Sequence, residues 1–197
     1  EKIEFMLSAD DTAIYAAYNA GNVDFIDTVP NDEIQTLLDN PEFYIVDNLG
    51  TYYAAFNCKS PLFDGKTPEQ AACMREAFSL LIDRDYIVEN VGQSGQVPAN
   101  SFIPLGMADG NGGVFKPDVD EGYFDVYGIN NDYEGTLEKA RTLLKAAGYK
   151  FDDDGMLSAE TPISVEYLTN NGTNHIAVAE AMQQDLGAIG IDMTIQS

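Results

Sequence analysis

Two periods run through the apolar positions of this chain, and each names a class of element. Ile3-Glu4-Phe5-Met6-Leu7, Val23 to Ile26, Phe43 to Val46 and Tyr52 to Phe56 read as strands. In the last of these, Tyr52, Ala54 and Phe56 share one face, and Tyr53, Ala55 and Asn57 share the other. Helical spacing alternates with these runs. Asp10 or Asp11 can cap a helix through Ile14, Tyr15, Ala17 and Tyr18 that stops at Gly21. Pro30 and Asn31 open a second helix, with Ile34, Leu37 and Leu38 on one buried face. A stronger helix runs from Glu69 to about Ile82, turning Met74, Phe78, Leu81 and Ile82 inward. Asp83 then caps a short helix through Tyr86, Ile87 and Val91.

From Gly92 to Asn131 the periodicity fails, in a segment with eight glycines and three prolines. A loop of that length inside a compact domain carries function or hidden elements. Order returns at Thr136, read as the cap of a helix through Leu137, Ala140, Leu143 and Leu144 that closes at Gly148. Asp152-Asp153-Asp154-Gly155 is a turn, and Ile163 to Leu168 a strand with Val165 and Tyr167 on one face. Asn174 is placed as the cap of the last helix, through Ile176, Ala179, Ala181 and Met182 to near Gly190. Ile191, Met193 and Ile195 alternate as a closing strand. Strands and helices alternating without repeat or linker predict an α/β fold with a mixed sheet and helices on both faces.

Composition narrows the function. Thirty-three acids against ten bases leave a net charge of −23. Nucleic-acid binders need clustered Lys and Arg, and so does attachment to anionic lipid, so both are disfavoured. The acidity itself reads as a solvated surface. Eleven tyrosines and ten phenylalanines, placed periodically, speak against disorder. No run approaches the roughly 20 apolar residues of a membrane span. Glu1 begins directly in a strand-like run, so no signal peptide is read at this start. Cys58 and Cys73 lack metal spacing; one disulfide or two reduced hydrophobes both fit.

Tests for chemistry find little catalysis. His175 is the single histidine, and no HExxH, GxSxG, Walker or GxGxxG pattern is present. A calcium loop at Asp152–Asp154 would need an acid at position 150, which is Lys. Asn130 to Gly135 fits half of such a loop, but its twelfth position is Arg141. Carboxylate pairs at this acidity are weak evidence for a hydrolase. Tyr52, Tyr53, Phe102, Phe115, Tyr123, Phe124 and Tyr127 fall near loops or strand ends, where aromatics suit either a ligand cleft or plain core. The turn Asn170-Asn171-Gly172-Thr173-Asn174-His175 sits between a strand and a helix N-terminus, where free N–H groups and polar side chains can meet a ligand.

An ordered set of motifs then resembles a known family. Thr51-Tyr52-Tyr53-Ala54-Ala55-Phe56-Asn57, Pro61-Leu62-Phe63-Asp64 and the run Arg75 to Val88 (REAFSLLIDRDYIV) are followed by Pro98-Ala99 and Phe102-Ile103-Pro104. Lys139 to Tyr149 (KARTLLKAAGY), Ala179 to Gln184 and Gly190 to Met193 complete the order, with Tyr18 to Phe25 upstream. Together they resemble the family 5 solute-binding proteins of peptide ABC transporters, in the oligopeptide-binding (OppA-like) branch. Most of these residues have structural explanations; Arg75 is expected to pair with an acid.

The resemblance implies that residues 1–197 are a single lobe, the carboxy-terminal ligand-binding lobe, of a longer two-lobed protein with a type II periplasmic-binding-protein-like fold. It implies extracytoplasmic capture of oligopeptides without catalysis, cofactor or metal. The liganded form would be presented to ABC permease subunits by a monomer, anchored as a lipoprotein in a Gram-positive cell. His175 and Tyr52 match family positions that face ligand. Asn170, Asn171 and Asn174 follow from their place in the turn, and Phe102 is added from its loop. The same fold holding an oligosaccharide or a metal chelate is the nearer alternative, and a two-carboxylate hydrolase the remoter one.

Overall fold

The computed structural model describes residues 2–99, 101–115 and 133–197. Tyr123, Phe124, Tyr127 and the half-loop at Asn130 to Asp132 lie outside the described residues.

Helix α1 spans Asp11–Asn19, and Asp10 caps it by accepting the Ala13 N–H. Helix α2 spans Asn31–Leu37 behind Pro30, with Ile34 buried. Pro61–Phe63 form one 3₁₀ turn. Helix α3 (Pro68–Leu81) has a complete capping box: Thr67 Oγ1 accepts the Gln70 N–H at 3.2 Å, and Gln70 Oε1 accepts the Thr67 N–H at 3.0 Å. Its buried positions Met74, Ala77, Phe78 and Leu81 follow the 3-4-7 spacing of one face.

Asp83 caps the short helix α4 (Arg84–Tyr86), accepting the Tyr86 N–H, and a π-helical turn continues over Ile87–Gly92. Arg84 folds back on α3. Its guanidinium donates to the Ser79 and Ile82 carbonyls and to Ser79 Oγ, and burial holds its pKa below the usual value. Arg75 does not find the expected acid among the described residues. It stands 5.7 Å over the Phe63 ring instead, a cation–π contact that replaces an ion pair.

Helix α5 covers Tyr133–Ala146 and so begins before Thr136, which is a buried position inside it rather than its cap. Gly148 ends this segment at φ +96°, a left-handed conformation that only glycine adopts freely. Strand β1 (Ser164–Leu168), helix α6 (Thr173–Gly187) and strand β2 (Asp192–Gln196) form a β-α-β unit. The two strands pair in parallel, Ser164 opposite Asp192 through Leu168 opposite Gln196. Gly172 caps α6, which displaces the expected cap Asn174 into the first helical turn.

One core joins these elements. Met74, Ala77, Phe78, Leu80 and Leu81 of α3 cluster with Ala140 and Leu144 of α5, Leu186 of α6 and Met193 of β2. Val165 and Tyr167, on one face of β1, pack on the same cluster. The chain is thus α/β, with its described ladder parallel throughout. The two cysteines are free.

The strand-like runs 3–7, 23–26, 43–46 and 52–56 form no ladder among the described residues. Many of their side chains are open, with Leu7 91% exposed, Phe5 84% and Tyr52 88%, while Val23, Ile26 and Phe43 are half-buried. A strand needs a neighbour to take its N–H and C=O groups, and alternation along one segment does not supply it.

Candidate functional site

Strand β1 ends at Leu168, and the turn that follows delivers side chains to the N-terminus of α6. Asn170 organises that turn. Its Oδ1 accepts the Gly172 N–H at 2.9 Å and lies 2.9 Å from His175 Nδ1. A Cβ at Gly172 would stand 3.0 Å from Asn170 Oδ1, so a larger residue there would push that side chain aside by a few tenths of an ångström.

The N-terminus of α1 faces this turn. Asp11, Asn170, Gly172, Thr173, Asn174 and His175 line one open cavity of about 210 Å³. The Tyr52 ring meets the His175 ring edge-on, with centroids 5.5 Å apart and planes at 66°. Three segments distant in sequence, 11, 52 and 170–175, therefore converge.

Of the six sequence candidates, the structure gathers four: Asn170, Asn174 and His175 line the cavity, and Tyr52 touches His175. Asn171 is exposed in the same turn but does not line the cavity. Phe102 packs edge-on against Tyr53 at 5.1 Å, on the opposite side of the 52–56 segment's alternation. Sequence reading missed Asp11 as a site residue, having weighed it only as a helix cap. Asp10 performs that capping, so the Asp11 carboxylate is left over.

The Asp152–Gly155 turn serves packing. Asp152 Oδ1 accepts the Asp154 and Met156 N–H groups, and Arg141 Nε donates to the Gly155 carbonyl at 3.0 Å. Among the described residues, no group of three or more His, Cys, Asp or Glu side chains is placed to hold a metal ion.

A family model described as bacterial extracellular solute-binding proteins, family 5 Middle, matches residues 1–197. The chain belongs to this family of solute-binding proteins. Among its relatives, the periplasmic murein peptide-binding protein MppA of Escherichia coli is 32% identical over 203 residues, covering 100% of this chain and 33% of that protein. The dipeptide-binding protein DppE of Bacillus subtilis is 28% identical over 196 residues, covering 99% of this chain and 32% of that one. The solved structure of the E. coli murein tripeptide binding protein MppA superposes with a TM-score of 0.72 at 32% identity, over 94% of this chain and 32% of that chain. The chain spans about a third of the length of the curated relatives it matches. These family 5 relatives are named as binding proteins for peptides.

Proposed function

We propose that this chain is the carboxy-terminal lobe of a two-lobed extracytoplasmic receptor that captures oligopeptides and hands them to an ABC permease. The observation that carries the reading is the convergence of Tyr52, Asn170, Asn174 and His175 at one open cavity beside the α6 N-terminus. A peptide offers many backbone donors and acceptors, and short polar side chains can engage these without reading sequence. Water in an open cavity adapts to different side chains, which permits tolerance of sequence. Hinge closure of a second lobe over this face would complete the enclosure and present the loaded form to the permease. The receptor works as a monomer, held at the cell surface or in the periplasm. The named relatives bind peptides, which supports the ligand class.

The test is native mass spectrometry of the full-length protein from its own cells, followed by denaturing release of what it carries. Released peptides of mixed sequence support the reading. A released sugar or metal chelate keeps the fold and overturns the ligand.

A further inference from the structure

Asparagine precedes glycine at two places in this chain, Asn111-Gly112 and Asn171-Gly172. The pair is labile, because a glycine has no side chain to keep its nitrogen from the preceding asparagine. The deprotonated glycine nitrogen attacks Asn Cγ, a new C–N bond closes a five-membered succinimide, and the side-chain amide leaves with a proton as ammonia. Water then opens one of the two ring carbonyls, giving aspartate or isoaspartate. Isoaspartate routes the backbone through Cβ and lengthens it by one carbon.

Both pairs are exposed, so exposure does not separate them. Anchoring does. The Gly172 N–H donates to Asn170 at 2.9 Å, and the Gly172 carbonyl accepts the Ile176 N–H at 3.0 Å as α6 begins. A backbone N–H can only donate, so the Asn170 atom it meets is the amide oxygen. The same oxygen lies 2.9 Å from His175 Nδ1, which must therefore carry a hydrogen, and this second bond pins the oxygen in place. A Cβ on Gly172 would meet Asn170 Oδ1 at 3.0 Å and His175 Nδ1 at 3.9 Å, so the space beside the nitrogen is already filled. Gly112 is the opposite case. Asp109 holds the N–H groups of Asn111 and Gly113 on either side of it. Among the described residues the Gly112 N–H and carbonyl have no hydrogen-bond partner, and nothing stands within 4 Å of its Cβ position. Electrostatics runs the other way: the α6 N-terminus eases loss of the Gly172 proton, and the Asp109 carboxylate resists it at Gly112. Both influences act at exposed sites and are screened, whereas the anchoring is direct.

We propose that Asn111 is a site of spontaneous modification, converting through the succinimide to aspartate and isoaspartate, and that Asn170 protects Asn171 from the same reaction. Conversion of Asn171 would put a carboxylate, or an extra backbone carbon, into the turn that carries Asn170, Asn174 and His175 to the cavity. Asn111 does not line that cavity. The chain thus ages in its 108–114 loop and not in its site, whatever the ligand.

The experiment incubates the full-length protein, its Asn170→Ala and Asn170→Asp variants, and the unaltered protein unfolded in urea, all in mildly alkaline buffer. Samples are digested at intervals, mapped by mass spectrometry, and assayed for isoaspartate with an isoaspartyl methyltransferase. In urea only the local sequence acts, and the two pairs should convert at similar rates. In the folded protein Asn111 is expected to convert about fivefold or more faster than Asn171, the factor worth one net hydrogen bond, and to give both products. Asn170→Ala should raise the Asn171 rate by about the same factor and leave that of Asn111 unchanged. Asn170→Asp keeps an acceptor oxygen and should hold the Asn171 rate low. Asn111 remaining intact in the folded protein while converting in urea overturns the modification site. Equal rates at the two pairs in the folded protein, or an Asn171 rate unmoved by Asn170→Ala, overturn the protection by Asn170. The comparison of the two pairs within the unaltered protein stands even where a variant fails to fold.

Discussion

Lys66 reaches over the end of helix α5 and donates from Nζ to the Ala147 carbonyl at 2.9 Å. The same ammonium stands 4.0 Å from the centre of the Tyr149 ring. A helix C-terminus leaves its last carbonyls unpaired and carries partial negative charge, so a cation there is stabilising twice over. Lys66→Met keeps the apolar stem and removes the charge. We expect a loss of about 1–2 kcal/mol, combining the helix-end and ring contributions. Urea unfolding should show a lowered midpoint with an unchanged slope.

The α3–α5 contact is the centre of stability. Leu144 is fully buried on α5, in the cluster that holds Met74 and Leu81 of α3. Leu144→Ala removes three carbons from a close-packed site and should destabilise by about 2–5 kcal/mol. A Leu144→Ala loss no larger than that of a surface substitution would sink the assignment of the core.

How much of this was legible in the sequence divides by range of interaction. Caps and helical faces are local, so Asp10, Asp83 and the 74–78–81 stripe could be read from spacing alone. The unit from β1 to β2 was also legible, since one helix links two strands that pair with each other. The runs at 3–7, 43–46 and 52–56 were read as strands, because alternation reports that a face wants covering, not what covers it. Thr136 and Asn174 failed as caps for a smaller reason. Each is a good capping type, but the backbone enters α5 at Tyr133 and α6 at Gly172, so both fall inside the helix. In the site, His175 and the asparagines were found from one turn. Asp11 required knowing that α1 and α6 present their N-termini to the same cavity, which no spacing encodes.

The hairpin-like loop around Asp109 should respond to acid. Asp109 Oδ1 accepts the Asn111 N–H at 2.7 Å and the Gly113 N–H at 3.0 Å. These bonds, the Asn111 one foremost, hold the carboxyl below its ordinary value of 3.8. A depressed carboxyl contributes fully above that ordinary value and loses its contribution as pH falls through the folded one. The loop should therefore be indifferent to pH near neutrality and loosen only below about pH 3.8. Amide proton shifts of Asn111 and Gly113 should titrate together there, and Asp109→Asn should abolish that inflection. Inflection at higher pH would contradict the bonding scheme.

The tautomer of His175 gives a readout independent of ligand. Asn170→Ala removes the oxygen that requires Nδ1 to carry the hydrogen, so the neutral ring should become a mixture of both forms. Gly172→Ala should act in the same direction, since its Cβ would press on Asn170 Oδ1 from 3.0 Å. Nitrogen-15 spectra of the imidazole, recorded with the ring neutral, distinguish the tautomers. The unaltered protein should show a protonated Nδ1, and both variants an averaged pair. An unaltered protein with hydrogen on Nε2 would contradict the hydrogen bond between His175 Nδ1 and Asn170 Oδ1.

The isolated 197-residue chain should bind peptides weakly. Asn170 and Asn174 are exposed, and Tyr52, which borders the site through His175, is 88% exposed. Ligand sites usually bury some 70–90% of what they hold, and a cavity open on this scale covers only one side of a peptide. Each polar contact made in water returns little net free energy, because water competes for the same groups. Enclosure by a second lobe would exclude that water and raise the worth of each polar contact. The full-length protein should therefore bind Ala-Ala-Ala about a hundredfold or more tighter than the isolated chain, measured side by side by calorimetry. Equal affinities would show that this face alone makes the whole site, and the two-lobed enclosure would then have no part in holding the ligand.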